Sequence, residues 1–319
     1  MIFENILETI GQTPLVKLNK IVKDLSCNVY VKCEFFNPGG SVKDRIAYHM
    51  IKKAEEKNKI RPGDVLIEAT SGNTGIGIAL AGAVLGYKVI IVMPEKMSQE
   101  KEIVLKALGA KIIRTPSKVA FDDSKSHISV ARQMQKEIPR AFILDQYSNP
   151  DNYKAHYEGT AQEILEDLKY KVDMIVMGVG TGGTLTGVAK KIKENCPHCK
   201  IVGVDPVGSI LAGKEDIKPY EVEGIGYDFI PQVLDSSLVD EWVKTTDKEA
   251  FLFARKLILE EGLLCGGSSG SVMFATLKVA SQLKKGQNCV VLLPDGVRNY
   301  ISKFLKENWM KEKGFTHDV

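Results

Sequence analysis

Four glycine-rich segments carry most of the side chains in this sequence that could do chemistry. They are residues 38–43 (PGGSVK), 70–75 (TSGNTG), 178–184 (GVGTGGT) and 265–270 (CGGSSG). Glycine allows the backbone to approach a ligand closely, and at least three of the segments lie between a strand-like or extended run and a helical run. Loops in such positions are where α/β proteins bind ligands. We therefore expect these segments to form a ligand site.

Segment 178–184 has the features of a phosphate-binding loop. Its N–H groups open a predicted helix whose N-terminus favours an anion, and Thr181 and Thr184 add hydroxyl donors. The same segment contains the spacing G-x-G-x-x-G from Gly178, and Asp205 ends the next predicted strand about twenty residues further on. A nicotinamide-dependent oxidoreductase that uses this segment, up to residue 183, and Asp205 is therefore an alternative. A tight turn without a ligand is another.

Lys43 stands at the first turn of a predicted helix, where the helix dipole disfavours a positive charge. That position and a partly desolvated cleft would both lower its pKa and leave more of the neutral amine. A neutral amine is what imine formation with an aldehyde needs. The alternative is an ordinary surface lysine, but the two preceding glycines and the apolar helical face that follows disfavour it.

Segment 70–75 offers polar groups at a second predicted helix start. The hydroxyls of Thr70, Ser71 and Thr74 and the exposed N–H groups suit the carboxylate of an amino acid, and the amide of Asn73 can donate to a ring hydroxyl. Taken alone, the segment could equally be a cluster of N-cap residues.

Segment 265–270 presents Ser268 at a fourth turn, and its hydroxyl can hydrogen-bond a neutral ring nitrogen. The G-x-S-x-G pattern of serine hydrolases is absent, because the sequence GSSG at 267–270 is one residue short. No fixed His/Asp pair lies near it in the sequence. We therefore interpret Ser268 as a binding group and not as a nucleophile.

The four segments occur in the order seen in pyridoxal-phosphate enzymes of the tryptophan-synthase-β-like fold, which is PLP fold type II. From residue 10 to residue 295 the chain resembles the cystathionine β-synthase and cysteine synthase family. Residues 223–231 (EGIGYDFIP) are more similar to the cystathionine β-synthase catalytic core than to cysteine synthases, which lack the Tyr-Asp pair. Residues 32–37, 155–157 and 297–300 favour the same branch.

The resemblance implies a role in binding pyridoxal 5'-phosphate for residues of all four segments. Lys43 would carry the cofactor as an imine and act as a catalytic base, Asn73 would bond the ring hydroxyl, and Ser268 would bond the ring nitrogen. The residues expected to hold the phosphate are Gly180, Thr181, Gly182, Gly183 and Thr184.

The resemblance also implies the substrate site. The residues expected to grip the substrate carboxylate are Thr70, Ser71, Thr74 and Gln146. Gly226, Tyr227 and Asp228 would face the side chain or the second substrate. Asp228 would then be a second catalytic residue that binds an acceptor's ammonium group or activates a thiol or water. Alternatively, it is a surface or capping carboxylate.

The implied reaction is β-replacement or β-elimination on L-serine or L-cysteine through an aminoacrylate. The acceptor would be a thiol such as homocysteine or cysteine, and cysteine as donor would release hydrogen sulfide. A cysteine synthase that uses O-acetylserine or serine with sulfide is the alternative within the family. A member that only binds a partner protein is an alternative from another class.

Strand-like and helix-like runs alternate, which predicts an α/β fold with two doubly wound, mainly parallel sheets and a cleft between them. The predicted strands are 29–31, 65–67, 89–92, 112–113, 142–144, 174–177, 201–204 and 289–293. The predicted helices are 43–58, 74–85, 99–108, 124–137, 154–168, 185–195, 248–261 and 271–283. Residues 46–146 are expected to form a smaller, mobile domain, and residues 1–45 and 147–319 a larger cofactor-binding domain.

Composition excludes several other classes of function. The 319 residues hold 43 Lys and Arg against 40 Asp and Glu, so the net charge of +3 does not favour nucleic acid or a membrane as a partner. No apolar run is long enough for a transmembrane helix, and the first residues do not resemble a signal peptide. We expect a cytoplasmic protein, and the resemblance implies a homodimer. The sequence departs from the animal enzymes of the family in their haem segment and regulatory domains, so we do not expect haem control or regulation of that kind.

The six cysteines are scattered, which does not indicate a disulfide framework. Cys196 and Cys199 form the one close pair. They are either a redox dithiol or two ordinary thiols beyond a helix end. A second pair of ligands at zinc spacing is missing, so no metal site is expected.

Overall fold

The computed structural model describes residues 2–70, 72–95, 97–116, 119, 122–213 and 216–316. Within these ranges the strands are β1 (Leu15–Lys17), β2 (Asn28–Cys33), β3 (Val65–Ala69), β4 (Lys88–Pro94), β5 (Lys111–Thr115), β6 (Ala141–Ile143), β7 (Met174–Gly178), β8 (Lys200–Pro206), β9 (Glu241–Thr245) and β10 (Asn288–Leu293).

The α-helices are α1 (Lys43–Glu56), α2 (Asn73–Leu85), α3 (Gln99–Ala107), α4 (His127–Glu137), α5 (Pro150–Ala155), α6 (Ala161–Asp167), α7 (Gly183–Asn195), α8 (Asp247–Glu261), α9 (Gly267–Val279) and α10 (Glu307–Glu312). A π-helical turn, His156–Thr160, joins α5 to α6. Short 3₁₀ helices cover Ile6–Thr9, Glu34–Phe36, Ser236–Leu238, Ala280–Gln282 and Val297–Tyr300.

The strands form two sheets, which confirms the predicted fold class. The larger sheet has the order β1-β2-β10-β7-β8-β9, and the smaller has the order β5-β4-β3-β6. Every pairing is parallel except that of β1 with β2. All strands of the smaller sheet lie between residues 65 and 143, inside the segment expected to be the smaller domain. Its separate movement stays a prediction.

Both faces of each sheet are covered, which explains why the strands read as continuous apolar runs. In the larger sheet, Val291 lies in one buried cluster and its neighbour Val290 in another on the opposite face. In the smaller sheet, Leu66 and Ile67 divide in the same way. Parallel strands covered on both sides place their carboxyl ends at one edge, where the loops into the helices are free to bind a ligand.

The structure differs from the sequence prediction at short or interrupted elements. Strands β1 and β9 are edge strands of three and five residues, and α10 has six, so none carries a clear periodic pattern. The helix predicted over 154–168 was placed too late: it begins at Pro150, where Asn149 caps it, and the π-helical turn interrupts it. No helix in the described ranges is both long and apolar enough to cross a bilayer.

All six cysteines are buried and unpaired. The thiol of Cys196 donates to the carbonyl oxygen of Tyr170 at 3.2 Å, and burial raises the pKa of Cys199 well above the ordinary thiol value. Buried thiols with raised pKa values are typical of inert structural cysteines. The geometry therefore favours two ordinary thiols over a redox dithiol.

Helix α9 begins in the fourth glycine-rich segment and packs closely against α8. A Cβ atom at Gly270 would lie 1.8 Å from the carbonyl oxygen of Ala250 and 2.4 Å from the amide nitrogen of Ala254. Both are backbone atoms of α8, so no side chain can move aside. The glycine thus permits the helix contact that fixes Ser268, two residues earlier on α9.

We predict that Gly270→Ala destabilises the fold by about 3 kcal/mol, because an added methyl group must push two helix backbones apart. The neighbouring Ser271→Ala removes a buried hydroxyl that has no partner among the described residues, so it should leave the stability unchanged or raise it. Denaturant unfolding measured by circular dichroism checks both. A Gly270→Ala variant as stable as the wild type would contradict this packing.

Candidate active site

All four glycine-rich segments reach one cleft at the carboxyl ends of β3, β7 and β10. Its empty volume is about 400 Å³. The predicted site residues that line it are Lys43, Asn73, Thr74, Gln146, Thr181, Tyr227 and Ser268. The cleft is bordered by strands of both sheets, as the sequence analysis expects of a ligand site in this architecture.

Lys43 is the first residue of α1, and the position of this helix start is fixed by the last strand of the larger sheet. The amide of Val42 donates to the carbonyl oxygen of Pro294 at 2.8 Å. Burial lowers the pKa of Lys43 from 10.5 to about 8, although the carboxylates of Asp295 and Glu34 oppose this decrease. A substantial part of the amine is therefore neutral near physiological pH.

A buried ion-pair network fixes the first turn of α1 from behind. The guanidinium of Arg45 pairs with Glu34 at 2.7 Å and with Glu163 at 2.6 Å, and Lys32 pairs with Glu163 at 2.8 Å. Burial opposes ionisation of Glu163, but hydrogen bonds from Arg45 lower its pKa to about 2. The network holds Arg45, and with it Lys43 two residues earlier, in one position.

Asn73 contacts an acidic residue that the sequence analysis did not assign to the site. Its Nδ2 donates to Oδ2 of Asp295 at 2.8 Å, and the hydroxyl of Tyr300 donates to the same oxygen. Asn299 donates to Oδ1 of Asn73 at 3.3 Å. Burial raises the pKa of Asp295. The only sequence signal was its position directly after the last predicted strand, in Leu-Pro-Asp.

The segment expected to hold phosphate is as closely packed as its glycines suggest. A Cβ at Gly180 would lie 2.6 Å from the carbonyl oxygen of Gly224, and one at Gly183 would lie 2.0 Å from Oδ1 of Asn152. Gly182 has a φ of 86°, and its Cβ would meet Leu234 at 2.5 Å. The first-turn N–H groups of a helix lack intrahelical acceptors, so the start of α7 offers donors to an anion.

Two residues outside the predicted set orient this segment. Asn152 donates to Thr181 Oγ1 at 3.3 Å, and its own Oδ1 is buried without a partner among the described residues. His156 contacts Thr184 Oγ1 through Nε2 at 3.1 Å and Thr160 Oγ1 through Nδ1 at 2.9 Å. Burial lowers the pKa of His156 well below its ordinary value. The imidazole is therefore neutral and sets the direction of the Thr184 hydroxyl.

The residues predicted to grip a carboxylate form a hydrogen-bonded chain. Thr74 Oγ1 donates to Gln146 Oε1 at 2.6 Å, and Gln146 Nε2 donates to the carbonyl oxygen of Ala69 at 3.0 Å. Thr70 is buried and accepts the N–H of Gly72, so it shapes the turn, and it does not line the cleft. Ser71 lies outside the described residues.

Glu68 supports Gln146 from below, which the sequence analysis did not foresee. Its two carboxyl oxygens accept the N–H groups of Gln146 at 3.0 Å and of Asp145 at 3.1 Å. The side chain is buried, and burial raises its pKa to about 8. Asp145 itself has a φ of 57°, a conformation that Asp tolerates better than most residues. This turn carries Gln146 into the cleft.

Of the three residues predicted to face the second substrate, only Tyr227 lines the cleft. Gly226 is buried at a φ of 79°, where a Cβ would lie 2.5 Å from Pro206 Cγ, so it makes the turn possible. Asp228 is half-buried beyond Tyr227, and its carboxylate makes no hydrogen bond or ion pair with any residue that the structure describes. Its role stays a prediction.

The geometry contradicts the nicotinamide alternative. Asp205 is fully buried, and its Oδ2 accepts hydrogen bonds from Lys244 Nζ at 2.9 Å and from the amide of Ala212 at 3.0 Å. A carboxylate enclosed in this way cannot reach the ribose of a dinucleotide. The G-x-G-x-x-G spacing reflects close packing around Gly180 and Gly183.

The cleft brings together a lysine amine of lowered pKa, a glycine-rich helix start and a buried serine hydroxyl. The family model for pyridoxal-phosphate dependent enzymes matches residues 6–295, and the chain belongs to this family.

Three relatives show what the chain is similar to. It is 61% identical to a cystathionine β-synthase of Dictyostelium discoideum over 319 residues, which cover 99% of this chain and 64% of that protein. It is 44% identical to a cysteine synthase of Staphylococcus aureus, over 94% of this chain and 96% of that one. The crystal structure of a hydrogen sulfide-producing enzyme from Fusobacterium nucleatum superimposes with a TM-score of 0.90 at 41% identity, over 94% and 100% of the two chains.

The chain spans 57–65% of the length of the cystathionine β-synthases that it matches.

The residues present fit pyridoxal phosphate. The first turn of α7 begins in segment 178–184, so its N–H groups lack intrahelical acceptors and, with the hydroxyl of Thr181 in the cleft lining, offer donors to an anion. Lys43 supplies an amine of lowered pKa, and the buried Ser268 supplies a hydroxyl in the same cleft. The Thr184 hydroxyl, which contacts the neutral His156, lies in the same helix start.

The lowered pKa of Lys43 can be measured without the cofactor. We predict that acetic anhydride labels Lys43 in the apoprotein with a midpoint near pH 8, because only the neutral amine reacts, while exposed lysines follow the ordinary value of 10.5. In Asp295→Asn the midpoint should move lower still, since the Asp295 charge opposes the decrease. Mass spectrometry of labelled peptides across pH gives both midpoints. A midpoint near 10.5 would contradict the desolvated environment.

Proposed function

We propose that this protein catalyses β-replacement and β-elimination on L-serine or L-cysteine, with a thiol such as homocysteine or cysteine as acceptor. The observation that carries the proposal is that Lys43, with its lowered pKa, and the hydroxyl of Ser268 line one cleft with Thr74 and Gln146. The similarity to cystathionine β-synthases supports the acceptor class. Cysteine synthesis from O-acetylserine and sulfide is a second candidate, which the similarity to a cysteine synthase supports.

The amine of Lys43 removes the Cα proton of the donor amino acid. Bound pyridoxal phosphate supplies an electron-withdrawing ring that acidifies the Cα–H of the attached amino acid. Once the donor has displaced it, the amine of Lys43 takes the Cα proton as a general base. A pKa of about 8 is close to the operating pH, where general acid–base catalysis is most efficient.

The polar chain on the opposite side of the cleft holds the donor. Thr74 and Gln146 fix its carboxylate, and Glu68 holds Gln146 in place through the backbone. Because these groups hydrogen-bond one another before the substrate arrives, little side-chain entropy is lost on binding. The carboxylate contacts orient the Cα–H bond towards Lys43.

Ser268 influences which bond breaks. A hydroxyl does not stabilise a protonated ring nitrogen in the way that a carboxylate does. The cleft therefore offers a weaker electron sink, which disfavours transamination and favours the loss of the β-substituent. The structure supports this role because Ser268 is buried at the first turn of α9, where the packing at Gly270 holds it.

We also propose a cytoplasmic homodimer whose residues 46–146 move as a unit to close over the substrate. Exposed apolar side chains near the N-terminus support a subunit interface there; they are Ile2, Phe3, Ile6, Val16 and Phe36.

The proposed mobile part contacts the larger part through a buried ion pair. Nζ of Lys101 on α3 lies 2.5 Å from a carboxylate oxygen of Glu223. Closure would keep water away from the reacting atoms.

The central test is a spectral titration of the purified, cofactor-loaded protein with serine, cysteine and O-acetylserine. We predict that serine and cysteine change the absorbance of the bound cofactor, and that serine with homocysteine yields cystathionine. Lys43→Ala should bind the donor without releasing product. Turnover only with O-acetylserine and sulfide would establish the second candidate. A protein whose spectrum never changes with any donor would contradict the proposed function.

We propose that Asp228 takes the proton of the acceptor, because its carboxylate is uncommitted and adjacent to Tyr227, which lines the cleft. Asp228→Ala should leave the spectral change with serine intact and slow the second half-reaction at least about tenfold. Rapid mixing separates the two steps. Unchanged steady-state turnover with every acceptor would remove Asp228 from the mechanism.

A further inference from the structure

Asp295, just beyond the carboxyl end of β10, contacts three of the four glycine-rich segments. It pairs with Ser41 in an antiparallel bridge, its carbonyl oxygen accepts the N–H of Gly266 at 2.9 Å, and its carboxylate accepts Nδ2 of Asn73 at 2.8 Å. The side chain is buried and lines the cleft. A residue that is tied to three segments in this way helps to set their relative positions.

The carboxyl group of Asp295 is held from two sides. A Cβ atom at Gly266 would lie 2.1 Å from Oδ1 of Asp295, so a larger residue at position 266 would displace the carboxyl group. On the other side, the hydroxyl of Tyr300 donates to Oδ2. The backbone contacts and the side-chain contacts of Asp295 therefore define one position for its carboxyl group.

Oδ2 of Asp295 acts as an acceptor. Burial raises the pKa of Tyr300 well above the ordinary value of 10.0, so the hydroxyl keeps its proton and donates it to Oδ2. A carboxyl oxygen that accepts this hydrogen bond repels the carbonyl oxygen of an amide and attracts its N–H group. The amide of Asn73 must therefore turn its nitrogen towards Asp295, as it does in the structure.

Asn299 holds the other end of the same amide. Its Nδ2 donates to Oδ1 of Asn73 at 3.3 Å. The cleft lining includes Asp295 but not Asn299, so the nitrogen of Asn73 lies on the cleft side and its oxygen lies away from the cleft. Because an amide nitrogen carries two hydrogens, it can donate one to Asp295 and the other to a ligand.

We propose that Asp295 is a positioning residue that fixes the Asn73 amide with a donor towards the cleft, so that the site selects a ring oxygen in its ionised form, which only accepts hydrogen bonds. This inference rests on the proposed function, since it concerns how the same site holds the ring of pyridoxal phosphate. An amide in the opposite orientation would present its carbonyl oxygen, which accepts a hydrogen bond from a ring hydroxyl but repels an ionised oxygen. The orientation of one amide thus decides which protonation state of the ring oxygen is bound.

The preference of the protein for pyridoxal phosphate over its 3-deoxy analogue, which lacks the ring oxygen, measures this contact. Both ligands offer Lys43 the same aldehyde and carry the same phosphate, so changes at those contacts cancel in the ratio of the two Kd values. Asp295→Asn leaves the Asn73 amide free to adopt either orientation, because the new amide both donates and accepts. It should lower the preference about tenfold, as expected for one hydrogen bond to a charged group.

A double-mutant cycle tests whether Asp295 acts through Asn73. In an Asn73→Ala background, Asp295→Asn should leave the preference unchanged. Asn299→Ala, which frees the other end of the amide from outside the cleft, should lower the preference about threefold in the wild-type background and not in the Asn73→Ala background. Arg298→Gln, an exposed neighbour on the same 3₁₀ turn, is the matched control and should change nothing.

The measurements use the full chain reconstituted with each ligand. The absorbance of bound pyridoxal phosphate gives a second readout, because ionisation of the ring oxygen moves the band to longer wavelength, and this band should weaken in Asp295→Asn. An equal loss of preference in both backgrounds, or no loss in either, would overturn the proposal. If Asp295→Asn does not fold, Asn299→Ala decides the same question. A wild type whose spectrum changes with no donor would contradict the proposed function, whereas the ratio of Kd values tests Asp295 independently of turnover.

Discussion

The arrangement of the site depends on placing an amine at the positive end of a helix in a desolvated cleft. An ammonium group is unstable there, which lowers the pKa of Lys43 to about 8. The fold can keep Lys43 in this unfavourable environment because other residues fix the first turn of α1. Arg45, on the same turn, is buried between Glu34 and Glu163, and breaking a buried ion pair costs about 3–5 kcal/mol. The buried ion pairs of Arg45 thus hold Lys43 in a position where its ammonium form is destabilised.

The other ligand groups reach Lys43 because glycine allows backbone segments to approach one another. Gly180 lies against the carbonyl of Gly224, Gly266 lies against Asp295, and Gly270 lies against the backbone of α8. A Cβ atom at any of these three glycines would overlap its neighbour and prevent the contact. Helix starts that meet at one cleft bring together hydroxyls and N–H groups that lack intrahelical acceptors, so the cleft offers donors to an anion without a cluster of lysines. This is the environment that a phosphate and a carboxylate both favour.

The sequence predicted the groups that project from local motifs and missed those that act through long-range contacts. Lys43, Asn73, Thr181 and Ser268 stand in glycine-rich turns whose local conformation the residue types determine. Asp295 is separated by 222 residues from the amide it contacts, Glu68 carries no motif, and His156 lies in segment 155–157, which the sequence analysis used only as a mark of resemblance. Their importance follows from burial and pairing, which only the folded chain defines. The same reasoning explains why the sequence analysis missed β1 and β9: they are strands because they pair with the outer strands β2 and β8, and not because of a pattern of their own.

The turn at 145–147 serves the cleft with two consecutive side chains. Gln146 lines the cleft and accepts the hydroxyl of Thr74, whereas the ring of the next residue, Tyr147, packs against the cleft residue Tyr227. Glu68 fixes the turn through two backbone hydrogen bonds. Through this one turn, Glu68 therefore holds both the amide of Gln146, which lines the cleft, and the ring of Tyr147, which packs against Tyr227. A buried carboxyl group that touches no ligand thus determines where two neighbouring side chains stand.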